Sequence, residues 1–185
     1  MASTFTAMDH STAEQWGTIV EETFANQPRV AETVLQMLRE LSDITDGFAT
    51  DQLTHCLQTA TRAERDGADD EVVVASLCHD VGKRISIHNH AQIAAEMLKP
   101  YVRDDVYNMI RTHQDFQGRH YYEHLGLDPD ARDQYEGEAW FELTANFADN
   151  YDQNSFDPDY DTLPLEHFEE RVRKVFGSLG PTPLG

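Results

Sequence analysis

Residues 72–90 read VVVASLCHDVGKRISIHNH, and the chain is organised around them. An apolar run ends abruptly in His79-Asp80, and Gly82 and Lys83 follow at once. Neighbouring residues on a helix point about 100° apart, so these two polar side chains can reach one ion only near the end of a helix. Gly82 favours such an end just after them. A buried imidazole and carboxylate need a positive partner, and a metal ion is the obvious one. The alternative is a helix that simply ends in polar residues.

Length and charge limit the class of function. The chain has 185 residues, so we expect one domain over 1–185, with loose tails at about 1–10 and 177–185. Its formal charge is −20, with 34 acidic against 14 basic residues. This balance argues against nucleic-acid and anionic-membrane partners, because phosphate groups bind to basic patches. It suits a protein that holds cations, although a salt-adapted acidic surface explains it equally well.

Cysteine content and hydropathy indicate a cytoplasmic protein. Cys56 and Cys78 both lie in apolar segments, which favours two buried thiols in a reducing compartment over a disulfide framework. No stretch approaches the apolar length of a membrane span, and the N-terminus lacks the basic-then-apolar pattern of a signal peptide. We therefore expect no membrane partner.

Helical periodicity runs along the chain and predicts an all-α protein. Ser11-Thr12-Ala13-Glu14 matches a capping box that opens the first helix, and Pro28 opens the second. No period-two strand pattern and no repeat is present. Further helices are predicted at 51–66, 69–80, 89–98, 104 to about 112, 138–152 and 165–176, with short helices and loops over 121–138.

Histidines recur at inward positions of these predicted helices. Nine are present, and several lie where the other inward positions are apolar. With two acidic residues they form a series of nitrogen and oxygen donors: His55, His79, Asp80, His90, His113 and either Asp149 or Asp152. Such a set, with a carboxylate between the histidines, suits two transition metals bridged by Asp80, and the lack of thiolates argues against structural zinc. Any one of these histidines alone is more often an ordinary core or surface residue.

Four segments carry a resemblance to the HD-domain superfamily and, within it, to the myo-inositol oxygenase branch. Residues 55–60, HCLQTA, are similar to the helix of its first ligand, and residues 77–83, LCHDVGK, resemble its Leu-His-Asp-Leu-Gly-Lys signature. Residues 107–113, YNMIRTH, are similar to its Tyr-Met-Ile-Arg-x-His segment, and residues 150–152, NYD, resemble its final aromatic-Asp pair. The likeness covers residues 51–158 and implies a helical bundle with the metals in its core. The ligands it implies are His55, His79, Asp80, His90, His113 and Asp152.

Two positions in this set have competitors. His88 competes with His90, which we prefer because it begins a helix, and the resemblance leaves Asp149 as a neighbouring or surface residue. The spacing from Asp80 to His90 is much shorter than in inositol oxygenase. It is closer to that of the small phosphonate-cleaving HD oxygenases, which also match the chain in size. This departure bears on the substrate more than on the chemistry.

The resemblance implies a non-haem oxygenase with two iron ions in a mixed-valent Fe(II)/Fe(III) state and O2 as co-substrate. It would oxidise and cleave a small hydroxylated molecule, either polyol-like or hydroxyphosphonate-like. Lys83 would lie beside the substrate as the catalytic cation, and otherwise it is a solvated lysine at a helix end. Phosphonate-cleaving members carry His where Lys83 stands and Lys where Gln117 stands, which favours a polyol-like substrate.

Two other functions are compatible with the same fold. A binuclear HD phosphohydrolase would use a similar ligand set to activate water for attack on a phosphate ester. Its substrate would require basic clamps, and the cations near the motifs are few: Lys83, Arg84, Arg111 and Arg119. A metal-binding protein without turnover is favoured if no cavity lies over the metals.

Two flanking segments are candidates for the surroundings of the substrate. Asp43 and Asp46, in the loop before the first ligand helix, are expected to be surface charge, with a lid over the substrate as the alternative. A cluster after His113 is expected to pack a loop, with binding of a cofactor ring as the alternative, and this loop is a candidate roof of the site because it follows His113 directly. Its residues are Phe116, His120, Tyr121, Tyr122 and His124.

Overall fold

A computed structural model describes residues 5–178, which form helices joined by turns and short loops, without a strand. The α-helices are α1 (Ala13–Ala25), α2 (Arg29–Glu40), α3 (Gln52–Arg65), α4 (Asp70–Cys78), α5 (His90–Leu98), α6 (Asp104–Gln117), α7 (Phe141–Asn146) and α8 (Leu165–Phe176). The predicted all-α helical bundle is confirmed. None of the described helices has the length and apolar character needed to cross a membrane.

The predicted tails fall largely beyond the described residues. Residues 1–4 and 179–185 lie outside them. Within the predicted N-terminal tail, Met8–His10 forms a single 3₁₀ turn. The division of the chain into one domain stays a prediction.

The first helix begins one residue later than its sequence pattern predicts. The Thr12 hydroxyl accepts the backbone N–H of Gln15, and the Gln15 side chain accepts the backbone N–H of Thr12. The capping box is therefore Thr12 with Gln15, and the pairing of Ser11 with Glu14 was wrong. Ser11 is engaged differently, because its hydroxyl accepts the indole N–H of Trp16.

Helices α3 and α4 lie at the centre of the bundle. Asp51 caps α3 by accepting the backbone N–H of Thr54, and Asp69 caps α4 in the same way. Every residue of α4 from Val72 onward is buried, so its burial on all faces holds it between the other helices. It ends at His79-Asp80, and a 3₁₀ turn, Val81–Arg84, follows. A rigid apolar helix thus delivers two polar side chains to the interior.

Helix α6 is longer than its predicted extent. It was expected to end near Thr112, yet it continues to Gln117 because the buried ring of Phe116 anchors one more turn. His113 therefore lies inside a helix rather than at its end. The predicted helix over 138–152 is shorter, beginning at Phe141, and its last part is a π-helical turn, Phe147–Asp152. π turns often accompany functional sites.

Gly82 allows the turn after α4 to approach the start of α5. A Cβ placed on Gly82 would lie 2.3 Å from the His90 carbonyl oxygen, which is far inside van der Waals contact. Any side chain at position 82 would push these two segments apart, and His79, Asp80 and His90 with them.

We predict that Gly82→Ala lowers the free energy of unfolding by about 1–3 kcal/mol, the usual cost of overpacking a filled interior. Gly17→Ala is the matched control, because Gly17 lies in α1 with nothing within 4 Å of its added Cβ. That control should stabilise the protein by about 0.5–1 kcal/mol, since alanine is the better helix former. Urea unfolding followed by circular dichroism measures both, and a Gly82→Ala protein as stable as the wild type would contradict the close approach.

Candidate metal centre

Helices from distant parts of the sequence bring six nitrogen and oxygen donors to one buried point. His55 comes from α3, His79 and Asp80 follow α4, and His90 is the first residue of α5. His113 comes from α6, and Asp152 ends the π turn. Each of the six is between 0 and 4% exposed. The structure thus brings together all six residues that the sequence singled out.

A backbone carbonyl fixes the orientation of each of the four imidazoles. The carbonyl oxygen lies 2.8 or 2.9 Å from Nδ1 in every case, and the carbonyls belong to Ser155 for His55, Ser76 for His79, Ile87 for His90 and Ile110 for His113. A carbonyl only accepts, so Nδ1 carries the hydrogen and Nε2 of the neutral ring presents a lone pair. Metal-binding histidines are held in this way.

Asp80 divides the donors into two sets. Its Oδ2 lies 3.5 Å from Nε2 of both His55 and His79. Its Oδ1 lies 3.0 Å from Nε2 of His90 and 3.7 Å from Nε2 of His113. Asp152 joins the first set, with Oδ1 3.1 Å from His55 Nε2 and 3.5 Å from His79 Nε2. The two carboxylate oxygens of Asp80 therefore face different histidine pairs.

The electrostatics of this cluster demand positive charge. Asp80 Oδ1 and Asp152 Oδ2 are buried with no hydrogen-bond partner among the described residues. Burial alone would raise the pKa of both carboxyls, yet His79 and the other imidazoles around them hold each pKa well below its usual range. Against the opposing effect of burial, the two carboxylates raise the pKa of His79 well above its usual value.

The donor set fits metal ions. Nε2 of His55 and Nε2 of His79 face each other at 3.0 Å, and two lone pairs at that distance repel unless a cation lies with them. Two triads have donor atoms within 4.8 Å of one another: His55, His79 and Asp152, and His79, Asp80 and His113. Imidazole and carboxylate without thiolate suit a first-row transition metal such as iron.

Lys83 reaches the same point from the 3₁₀ turn. Its Nζ lies 2.7 Å from Asp80 Oδ2 and donates to Gln52 Oε1 at 2.8 Å. Burial would lower the pKa of Lys83, but Asp80 raises it, so the side chain is a cation beside the carboxylate. Sequence reasoning placed Lys83 on the metal side and missed Gln52. The available signal was its position three residues before His55, on the same face of α3.

A cavity of about 480 Å³ opens over the donors. Its floor includes His55, Asp80 and His90, and Lys83 is the only Lys or Arg among the described residues that line it. The other lining residues are Asp46, Phe48, Ile87, Gln114, Gln117, His120, Tyr121, Gln153 and Phe156. A larger cavity, of about 580 Å³ between α2 and α8, contains none of the six donors.

An aromatic stack covers one wall of the cavity. The ring of Phe156 stacks on the imidazole of His55 at 4.3 Å, and Phe48 stacks on Phe156 at 4.4 Å. Phe156 lies in the loop after Asp152, where the sequence predicted only a loop, and no spacing rule connects it to His55. Its role follows from the tertiary fold alone.

The competing candidates lie away from the donors. His88 is exposed, and Asp149 pairs with Arg132 and His120. Asp46 lines the mouth of the cavity, whereas Asp43 is exposed and absent from its lining.

We predict that Asp152→Asn lowers the bound metal by at least one ion per chain, because it weakens a carboxylate donor at the first set. Asp149→Asn is the matched control on the same π turn and should keep the wild-type metal content. His90→Gln and its neighbour His88→Gln form a second pair with the same expected contrast. Metal analysis after dialysis measures the metal content of all four variants. If Asp149→Asn loses metal and Asp152→Asn does not, or if His88→Gln loses metal and His90→Gln does not, the ligand assignment of that pair is reversed.

The fold and the cluster agree with a comparison to known families. The family model described as HD domain matches residues 53–152, more than half of the chain. No curated protein sequence matches the chain significantly. The matched range contains all six donors, and HD domains are commonly metal-dependent enzymes. The chain belongs to the HD-domain family.

Proposed function

We propose that this protein is a non-haem di-iron oxygenase that uses O2 to oxidise and cleave a small, polyol-like molecule. The observation that carries the proposal is the position of Asp80, whose two oxygens face two different histidine pairs. A carboxylate placed in this way suits two ions bridged by its oxygens, with His55, His79 and Asp152 on one and His90 and His113 on the other. The irons, in a mixed-valent state, would supply O2 activation and a reducing equivalent.

The cavity walls favour a reaction that must be shielded from water. Phe48, Phe156, Ile87 and Tyr121 give much of the lining an apolar character, and such a lining protects reactive oxygen species from side reactions. A volume of about 480 Å³ falls in the range of small-molecule sites.

The polar part of the lining suits hydroxyl groups. Gln114, Gln117 and Gln153 carry neutral amides, which both donate to and accept from hydroxyls. Gln117 also donates to Asp152 Oδ1 at 3.0 Å, so it steadies one donor of the first set while it faces the cavity. A neutral, hydroxylated substrate matches this chemistry better than a charged one.

Lys83 is the only Lys or Arg that the described part of the chain contributes to the lining. Gln52 and Asp80 fix its ammonium group beside the donors. A fixed cation in a site shielded from water stabilises an oxygen atom that becomes negative as the reaction proceeds. Lys83 is therefore the residue that we assign to catalysis.

The alternative, a binuclear phosphohydrolase acting on a phosphate ester, has the same donors but less support from the walls. Two arginines that lie near the donor motifs in sequence form ion pairs with other residues: Arg84 pairs with Glu40, and Arg119 pairs with Asp130. Arg111 donates to Asn108 on its own helix. Among the described residues that line the cavity, Lys83 is the only Lys or Arg that could contact a phosphate.

Substrate screening separates the two enzymes. Anaerobically reduced, iron-loaded protein should consume O2 with small polyols and release no phosphate from phosphate monoesters. Phosphate release without O2 uptake, with manganese or zinc bound, would establish the hydrolase instead.

We predict that Lys83→Ala lowers kcat by roughly 10²–10³-fold, the usual effect of removing an electrostatic donor at a dry site, while the iron content stays intact. Arg84→Ala is the matched control, because the adjacent Arg84 pairs with Glu40 and does not line the cavity. Steady-state O2 uptake measures kcat and KM for both. In a phosphohydrolase the lysine would hold the ground-state phosphate, so KM would rise as well, and unchanged parameters would remove Lys83 from catalysis.

A further inference from the structure

A second polar group contributes to the same cavity and is distinct from the six donors. His120 lines the cavity, and its Nε2 lies 2.8 Å from Asp149 Oδ1. Arg132 donates to the same carboxylate through Nη1, at 2.9 and 3.1 Å from its two oxygens. Arg132 and Asp149 are not part of the lining. The three side chains thus form a row in which only the imidazole faces the cavity.

The row fixes which nitrogen of His120 carries hydrogen. A carboxylate oxygen only accepts, so Nε2 of His120 must donate to Asp149, and Nδ1 of the neutral ring is left with a lone pair. A histidine oriented by a carboxylate in this manner is a common arrangement where a side chain must accept from a substrate group. We therefore expect a hydrogen-bond donor on a molecule in the cavity to be the partner of Nδ1.

The same elements hold the row and the metal donors. His120 ends the 3₁₀ turn Gly118–His120, directly after α6, and Asp149 lies in the π turn that ends at Asp152. A Cβ on Gly118 would lie 2.5 Å from the ring of Tyr122, so a larger residue at this position would displace that ring. The position of His120 relative to the donors is therefore set by two packed elements.

We propose that His120 is a substrate-contacting residue whose Nδ1 accepts a hydrogen bond from a substrate hydroxyl away from the metals. Asp149 and Arg132 are positioning residues that fix the ring. This inference rests on the proposed function, because it takes the substrate to be hydroxylated, and it adds a specificity contact outside the set of six donors. It distinguishes a polyol, which has several hydroxyls, from a molecule with a single one.

The test uses full-length protein loaded with zinc, which is diamagnetic, and ¹⁵N-labelled at histidine. Long-range ¹H–¹⁵N NMR reports the tautomer of each ring, and glycerol and methylphosphonate are titrated separately as the hydroxyl and anion probes. The variants are His120→Gln and Asp149→Asn, with His124→Gln as the matched control from the same segment. His124 is exposed and does not line the cavity. Melting temperatures and zinc content verify that each variant is folded and loaded.

We expect His120 to be protonated at Nε2, and we expect glycerol to shift its Nδ1 signal while the His124 signals stay in place. His120→Gln should raise the Kd for glycerol about 3–10-fold, the effect of one hydrogen bond, and His124→Gln should leave it unchanged. In Asp149→Asn the tautomer preference should be lost. Protonation at Nδ1, equal shifts at His120 and His124, or a response to methylphosphonate alone would overturn the assignment. Zinc replaces iron and no turnover is required, so this result is separate from whether the protein is an oxygenase.

Discussion

The structure depends on the burial of two carboxylates, Asp80 and Asp152, in the centre of a helical bundle. Isolated buried charges cost several kcal/mol each, so the fold is stable only with compensating positive charge at this point. Lys83 contacts Asp80 and supplies part of this charge. Backbone carbonyls orient the four imidazoles around the carboxylates. Gly82 lets the turn that carries Asp80 approach the start of α5, where His90 lies. A metal ion held by these donors would supply that charge, and its binding would then be coupled to folding.

Local sequence predicted the parts of the site that lie on helices. His79 and Asp80 were identified because an apolar helix ends in them, and helical periodicity predicted the all-α class. The other histidines were identified by their inward positions on predicted helices, and the resemblance favoured Asp152 over Asp149. The extension of α6 past His113 was missed because Phe116 holds it by tertiary packing. Long-range contacts were equally hidden: nothing in the sequence links Phe156 to His55, which is some hundred residues away.

The charge of the whole chain and the lining of the cavity point to the same substrate class. A formal charge of −20 attracts cations and repels phosphates. Of the described residues that line the cavity, Lys83 is the only Lys or Arg. Neutral amides and the His120 imidazole make up most of the remaining polar lining. This lining supports the proposal of a hydroxylated substrate that is recognised by hydrogen bonds.

Mössbauer spectroscopy combined with metal analysis of anaerobically purified protein tests the central claim most directly, because it measures both the number of ions and their valence. Asp80 as a bridge predicts two irons per chain with a mixed-valent signal after partial oxidation. A single zinc or manganese ion per chain would contradict the di-iron account.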